Sequence, residues 1–522
     1  MEKLKPVFFA SKALLPILFL FCILSYFNAW LSDDSFISFK VVDNFVQGNG
    51  LRWNIDERVQ VFTNPLLVLF LSPFYFLYKN IVFWSFLSSF LFGAITLLLL
   101  WRMASSRISF WIGVFFLFSS RAFFDYIYSG LENSLNYCLE AAFFLYYWKE
   151  KPENKSNLPI LVGIASIGIV SRIDFSLIFL LPLCLELHKV WKSGGIDGKL
   201  LGKSFLFSFP AILWFVFSAV YYGSLLPNTY YAKTNVLDSR SDLILQGLQY
   251  YSFQFRWDGI SLFFPILLVS LTAFSGKNVR PLIVSFLFGI PYLLYILLVG
   301  GDFMAGRFFT YVILLLGIGM VRLLDLGPKA SMGIVSILFL YNILFPSPFR
   351  QVRSQASGNP WILGEEQIAD EKLWYYQSTG FLRIGKADSL LKDLASKKVS
   401  INTPNVIFTD TAGMSGFLLS ANVHVIDIFG LGDPLLARIP GRGNRAGHKF
   451  RDIPLGYVES LEQNKNLIVD PDLKEYYDSL LILVRGDLWD IKRWDLFLKF
   501  QFGEYRKYVK PYSVDSEKKI GG

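Results

Sequence analysis

Cysteine is scarce in this chain of 522 residues: Cys22, Cys138 and Cys184 are all it has. All three fall in apolar segments and none in the polar C-terminal part, which excludes a disulfide framework there. Histidine is equally scarce. His188, His424 and His448 show no metal-ligand spacing. Charged residues make up only 17% of the chain against 53% hydrophobic ones, a balance that excludes an ordinary soluble domain. The chain also lacks an internal repeat, a heptad array and a low-complexity linker, so repeat architectures and coiled coils are set aside. The net charge of +9 is read as part of a membrane-topology signal, not as a nucleic-acid footprint.

What the chain does have is long uncharged runs. Residues 13–32, 80–101, 204–232, 259–276, 281–301 and 330–349 carry no charge. Each is close to the roughly 20 residues that cross a bilayer as a helix. The expected class is a polytopic α-helical membrane protein with about eleven transmembrane helices. The first run is longer than a signal-peptide core and no clean A-x-A site follows, so it is read as an uncleaved helix. Residues 62–78 contain Asn64, Pro65 and Pro73 and are expected to lie at the membrane interface. With the N-terminus cytoplasmic, Arg102, Arg107, Lys189, Lys192, Lys199, Lys203, Arg280 and Arg322 fall on inner connections, as positive-inside asymmetry requires. An odd number of spans then places residues 350–522 outside. That region has no window able to cross. "NVIFTD" and "VHVIDIFG" read as buried strands, and "TAGMSGFLL" and "GDPLLARI" as short helices, which suggests a small α/β domain. The stretch "EYYDSLLILVRGDLWDIKRWDLFLKF" mixes strand and helix signals. The expected division is a transmembrane module over 1–349 and an extracytoplasmic α/β domain over 350–522.

Sorted by side, the costly polar residues collect on the outer face. They are Asp33 and Asp34, Glu132 in "DYIYSGLENS", Arg172 and Asp174 in "SRID", Asn228, Tyr230, Tyr231 and Lys233 in "YYGSLLPNTYYAKT", and Asp302 and Arg307 in "VGGDFMAGRFF". Each has a plain structural reading: a helix end at Asp33, an Arg172–Asp174 pair, a surface lysine at Lys233. Charges near a bilayer are nevertheless costly unless paired or hydrated, so the collection points to a site. Group transfer from a lipid-phosphate donor suits such a face. A carboxylate can take a proton from an acceptor hydroxyl, and Arg or Lys can stabilise a leaving phosphate.

The stretch "DDSFISFKVVDNFVQGNGLRWNIDERVQVFTNPL" resembles the first loop of the bacterial C-type glycosyltransferases. "SGLENSL", "YYGSLLPNTYYAK", "GGDFMAGRFF" and "DTAGMSGFLL…VIDIFGLGDPLLAR" fit the same family in the same order. The similarity is to the branch containing terminal β-arabinofuranosyltransferases and covers most of residues 13–457. It implies a GT-C fold of many transmembrane helices with an extracytoplasmic active site. It also implies a polyprenyl-phosphate sugar donor, inversion at the anomeric carbon, and a glycan or glycolipid acceptor of the cell envelope at the bacterial inner membrane. The family's catalytic acidic pair falls on Asp33 and Asp34. "GDFMAGR" makes Arg307 the first donor-phosphate candidate, ahead of Arg58, Arg172 and Lys233. "GRGNRAGHKF" resembles a basic loop of the outer domain, which nominates Arg442, Arg445 and His448 for donor phosphate or acceptor. Lys40 stands where the family commonly has Arg, Asn54–Glu57 replaces an Asn-Pro-Gly-Glu turn, and "SRIDF" replaces Arg-Pro-Asp or Arg-Pro-Glu. These departures leave the sugar open.

Whether Mg²⁺ or Mn²⁺ takes part is also open; Asp33 and Asp34 are its candidate ligands. Two other function classes compete. A lipid-linked sugar transporter or flippase fits the many helices but lacks the paired halves of that class. A non-catalytic envelope-assembly protein predicts that Asp33 and Asp34 are dispensable.

Overall fold

The computed structural model of the chain describes residues 14–149, 156–274, 279–322, 328–350, 362–363, 367–383, 406–443 and 445–505. Of the described residues 68% are helical. Among the described residues two helices, Ile81–Met103 and Arg280–Leu298, are long and apolar enough to cross a membrane, or up to five if each of three bent helix pairs is one span. Shorter apolar helices accompany them. Pro65–Leu77 has 13 residues. At ~1.5 Å per residue it is about 20 Å long, short of a ~30 Å hydrocarbon core, which suits an interface helix.

The chain divides into two compact units that do not follow chain order. The first takes Met1–Ser32, Val82–Pro210 and Ser241–Ser389; the second takes Asp33–Ile81, Ala211–Arg240 and Leu390–Gly522. In the first unit the central element is Thr310–Val321, every residue of which is buried. It packs against Arg280–Leu298 and Arg107–Ser119. Small residues permit that approach. A Cβ on Gly113 would stand 2.5 Å from a Val321 methyl and 3.0 Å from the Gly317 carbonyl oxygen. A Cβ on Gly317 would stand 2.8 Å from two atoms of the Leu117 side chain. Close backbone approach through glycine is the usual means of helix association where lipid removes the hydrophobic driving force.

In the second unit, Val406–Thr409 and His424–Asp427 form a two-stranded parallel sheet in the register Val406↔His424 to Thr409↔Asp427. The short helix Met414–Leu418 lies in their connection. Beyond the strands the ambiguous aromatic stretch resolves into two helices, Pro471–Arg485 and Ile491–Gln501. Asp470 caps the first by accepting from the Leu473 N–H at 2.8 Å, with Pro471 in the first turn. Its buried positions Leu473, Tyr476, Tyr477, Leu480, Leu483 and Val484 recur at three- and four-residue spacing. That period decides for helix over the β-propensity of the tyrosines.

The glycine seam of the first unit carries a prediction. Gly317→Val is expected to lower stability by about 1–3 kcal/mol through overpacking. Gly333→Val, where a Cβ meets nothing within 4 Å, is expected to change it far less. Thermal unfolding of both variants in detergent checks this.

Candidate active site

Asp33 and Asp34 occupy the first turn of the helix Asp33–Val46. The helix N-terminus favours negative charge there. Successive helical residues stand about 100° apart around the axis, so the two side chains leave the helix in different directions. Asp33 is gripped by backbone: its Oδ1 accepts from the Met414 N–H at 2.8 Å and its Oδ2 from the Gly413 N–H at 3.1 Å. The approach is so close that a Cβ on Gly413 would stand 1.8 Å from the Asp33 carbonyl oxygen. Burial pushes the Asp33 carboxyl up to about 6; the Met414 and Gly413 N–H groups pull it down, and Asp34 adds to the rise.

Three of the five family-like stretches meet in this unit. Trp53, from the first, is fully buried and packs against Gly416 and Gly432 of the last. The Lys40 ammonium lies 4.5 Å from the Trp53 ring centroid. Asp427 accepts from the N–H groups of Phe429, Leu431 and Gly432 at 3.1, 2.6 and 3.3 Å. Asp433 accepts from the Leu435 and Leu436 N–H groups and from the Tyr457 hydroxyl at 2.8 Å. Burial lifts the Asp427 carboxyl to about 6.

Asn228 donates its amide N–H groups to the carbonyls of Gly430, Leu431 and Asp433, at 3.1, 3.0 and 3.0 Å, and accepts from Arg438 at 3.1 Å. Its amide is thus used in holding the 430–438 loop. Tyr231 lies under the Arg438 guanidinium at 4.4 Å, with Tyr230 exposed beside it. His448 packs edge-on against Phe429 at 4.7 Å. Burial, then the neighbouring Arg445 and Lys233, hold its imidazole well below the usual range. Lys233, Arg445 and His448 therefore form one basic corner, while Arg442 pairs with Asp452 at 2.8 Å. Arg58 donates to the Gly486 carbonyl and is largely buried.

Sequence reading passed over His424, because it has no metal-ligand spacing. It pairs with Asp56 at 3.0 Å, and Arg485 pairs with Asp56 at 2.8 Å. Asn54 bonds both the N–H and the carbonyl of Val425, at 3.0 and 3.1 Å, extending the strand edge. The departure from the family's Asn-Pro-Gly-Glu turn at Asn54–Glu57 was the available signal, since it introduces an acid where His424 docks. Burial raises Glu57 to about 7. It also pushes the His424 imidazole down, but the bond to Asp56 and the neighbouring Glu57 outweigh that and raise it.

The other polar cluster lies within the first unit. Arg172 makes a two-point contact with Asp174, at 2.9 Å through both Nε and Nη2, and reaches Glu132 at 2.9 Å. Arg307 lies 3.8 Å from Glu132 and 3.8 Å from Asp302. Its Nη1 is 3.4 Å from the Met304 sulfur. Asn136 donates to the Tyr311 hydroxyl at 2.9 Å and Asn133 to Thr310 at 3.2 Å. The Tyr292 hydroxyl and the Asp302 Oδ2 are buried without a hydrogen-bond partner. Glu132, Arg172, Asp174, Asp302 and Arg307 are thus brought together, two cations against three acids, with Glu132 shared between the arginines.

Among the described residues no three His, Cys, Asp or Glu side chains are grouped to hold a metal ion. Asp33 already accepts two N–H groups.

Over 332 residues the chain is 27% identical to the terminal beta-(1->2)-arabinofuranosyltransferase of Mycobacterium tuberculosis, an alignment covering 54% of this chain and 51% of the relative. The chain thus spans about half the length of the curated relative it matches. No family model matches, and no solved structure matches.

The His424–Asp56 contact has a signed pH dependence. A histidine raised above its unfolded value contributes stability that is full below the unfolded pKa of about 6.5 and is lost as pH rises through the folded one. His424→Gln is therefore expected to cost more thermal stability at pH 6 than at pH 9. Unfolding of both proteins at the two pH values checks it.

Proposed function

We propose that the chain is a membrane glycosyltransferase that moves a sugar from a polyprenyl-phosphate donor to a hydroxyl of a cell-envelope glycan or glycolipid. The observation that carries this reading is the acidic doublet on the first turn of Asp33–Val46, with Asp33 clamped by the Gly413–Met414 backbone. The similarity to a named arabinofuranosyltransferase supports the reaction class. The family resemblance of the motifs supports the donor and the outer face of the bacterial inner membrane.

The doublet divides the labour. Both Asp33 oxygens are engaged by backbone donors, which makes Asp33 the positioning residue. Asp34 takes the proton. The acceptor oxygen attacks the anomeric carbon from the face opposite the phosphate. The bond from that carbon to the phosphate oxygen breaks with its electron pair on oxygen, and polyprenyl phosphate leaves while the proton rests on the Asp34 carboxylate. Inversion follows from a single displacement. Within the first unit, Arg307 is the residue assigned to phosphate. The resemblance carried by "GDFMAGR" supports that assignment, and a guanidinium can bind phosphate through two parallel hydrogen bonds.

Transfer of radiolabel from a panel of polyprenyl-phosphate sugars, in membranes carrying each variant, tests the assignment. Asp34→Asn is expected to lose about 10²–10⁴-fold in rate, the span of a positioned general base. Asp33→Asn is expected to lose less. With the Asp33 carboxyl near 6, wild-type activity should fall as pH drops through that value and the N–H clamp loses its anion. The Asp33→Asn profile should lack that limb. Full activity in both single variants overturns the mechanism, and transport of the lipid without donor consumption replaces it with a flippase. Arg307→Gln is expected to raise the donor KM more than it lowers kcat, measured in the same assay.

A further inference from the structure

Three arginines of the second unit share one location without a carboxylate to neutralise them. Arg493, only 1% exposed, donates from Nη1 to the Val220 carbonyl at 2.7 Å, from Nη2 to the Tyr221 carbonyl at 3.1 Å, and from Nε to the Leu483 carbonyl at 2.9 Å. Arg58 is tied to the same end of Pro471–Arg485: its backbone N–H donates to the Val484 carbonyl at 2.8 Å and its guanidinium to the Gly486 carbonyl. Arg52 donates from Nε to the Tyr221 hydroxyl at 3.0 Å and from Nη1 to the Ile55 carbonyl at 2.9 Å. Tyr221 thus joins Arg52 to Arg493, and the last turn of Pro471–Arg485 joins Arg493 to Arg58.

The plain reading is that these arginines cap helix ends. The carbonyls that engage Arg58 and Arg493 belong to the C-terminal ends of Phe209–Tyr222 and Pro471–Arg485, while Ile55, the acceptor of Arg52, lies outside both. A helix C-terminus carries about half a negative charge, so two offset about one of three positive charges. Among the described residues no ion pair joins Arg52, Arg58 or Arg493 to an acid. Exposed Asp487 pulls on Arg58 and Arg493 from beyond ion-pair distance. The surplus shows in the arginines themselves. Burial and then Arg52 lower Arg58, and burial and then Arg58 lower Arg493 to about 10. Arg58, 9% exposed, also keeps a buried Nε–H with no acceptor. An anion at this place would supply what the protein does not.

The surroundings indicate where that anion comes from. Val220 and Tyr221 end an apolar helix that, with the preceding Gly198–Phe207, makes one of the bent pairs apolar enough to cross a membrane. Directly after Gly486, the acceptor of Arg58, the chain exposes Trp489 at 73% and Ile491 at 85%. Exposed Trp beside Arg at the end of a spanning segment is the composition of the bilayer interface, where rings sit at headgroup level and guanidinium meets phosphate.

We propose that Arg52 and Arg58, backed by the charge of buried Arg493, form a phosphate site for an anionic membrane phospholipid, with Trp489 and Ile491 seated in the interface beside it. The site uses neither Asp33, Asp34 nor Arg307 and stands whether or not the sugar-transfer reading holds; Arg58, a donor-phosphate candidate by resemblance, is assigned here to the phospholipid instead.

Native mass spectrometry of the purified protein, after exchange into micelles containing equal phosphatidylglycerol and phosphatidylcholine, tests it. Wild type is expected to retain phosphatidylglycerol preferentially. Arg52→Gln with Arg58→Gln is expected to lose that preference about tenfold or more, the worth of charge-assisted hydrogen bonds. Because those substitutions also touch backbone carbonyls, Trp489→Ala serves as the variant that leaves the packing intact, and it should weaken retention with unchanged thermal stability. Equal retention of the two lipids by wild type, or unchanged preference in both variants, overturns the proposal. Displacement of the lipid by millimolar inorganic phosphate would make this a site for free phosphate and overturns its lipid assignment.

Discussion

A carboxylate withdrawn from water must be given hydrogen-bond donors, and in the second unit those donors are mainly backbone. Asp33 takes two N–H groups, Asp427 three, and Asp433 two with a tyrosine hydroxyl. Backbone donors cannot rotate away as a lysine can. Each such acid therefore fixes the loop that serves it, and the loop fixes the acid. The 410–414 turn must pass within contact of the Asp33 carbonyl, which is why position 413 has no room for a side chain. The same arrangement leaves the charge only partly compensated. For Asp33 and Asp427 burial outweighs the N–H groups, and both carboxyls rise to about 6. Acids held this way are rigid, since neither the acid nor its loop can move without the other.

In the first unit Asp258 is held likewise, by the Arg121 and Ala122 N–H groups and the Ser120 hydroxyl, but other buried acids there are answered by cations. Arg172 answers Asp174 with a two-point fork and Glu132 with a third bond. Lys372 answers Asp125 at 2.6 Å, and Arg121 answers Asp370 while stacking at 4.2 Å from Trp257. Side-chain pairs are adjustable and can be re-formed around a new anion; backbone clamps cannot. The 3.8 Å contacts of Arg307 belong to this adjustable class.

How much of this was legible in the sequence follows from the same distinction. Side-chain chemistry near in sequence was readable: the acidic doublet, the Arg172–Asp174 pair, and the strands Val406–Thr409 and His424–Asp427 with a short helix between them. Backbone donors leave no side-chain signature. The partner of Asp33 lies 380 residues away in sequence and presents only N–H groups, so nothing in "DTAGMSG" announces it. Arg58 is a candidate through the family resemblance and Asn228 through its place among the outer-face polar residues. Carbonyls engage them, and carbonyls are present at every residue. Apolar runs gave composition but not helix length. Pro291 sits inside Arg280–Leu298, whereas residues 330–349 yield a helix that ends at Leu344.

The adjacency of Asp33 and Asp34 carries the last step. Two acids used as a chelating or proton-sharing pair need their oxygens on one side, which in a helix calls for spacing of three or four. Neighbouring positions are about 100° apart around the axis. On one turn, therefore, adjacent acids load the helix end differently from a spaced pair. Asp33 is the member held by the 413–414 backbone. The rigidity of that clamp fixes the turn on which Asp34 also stands.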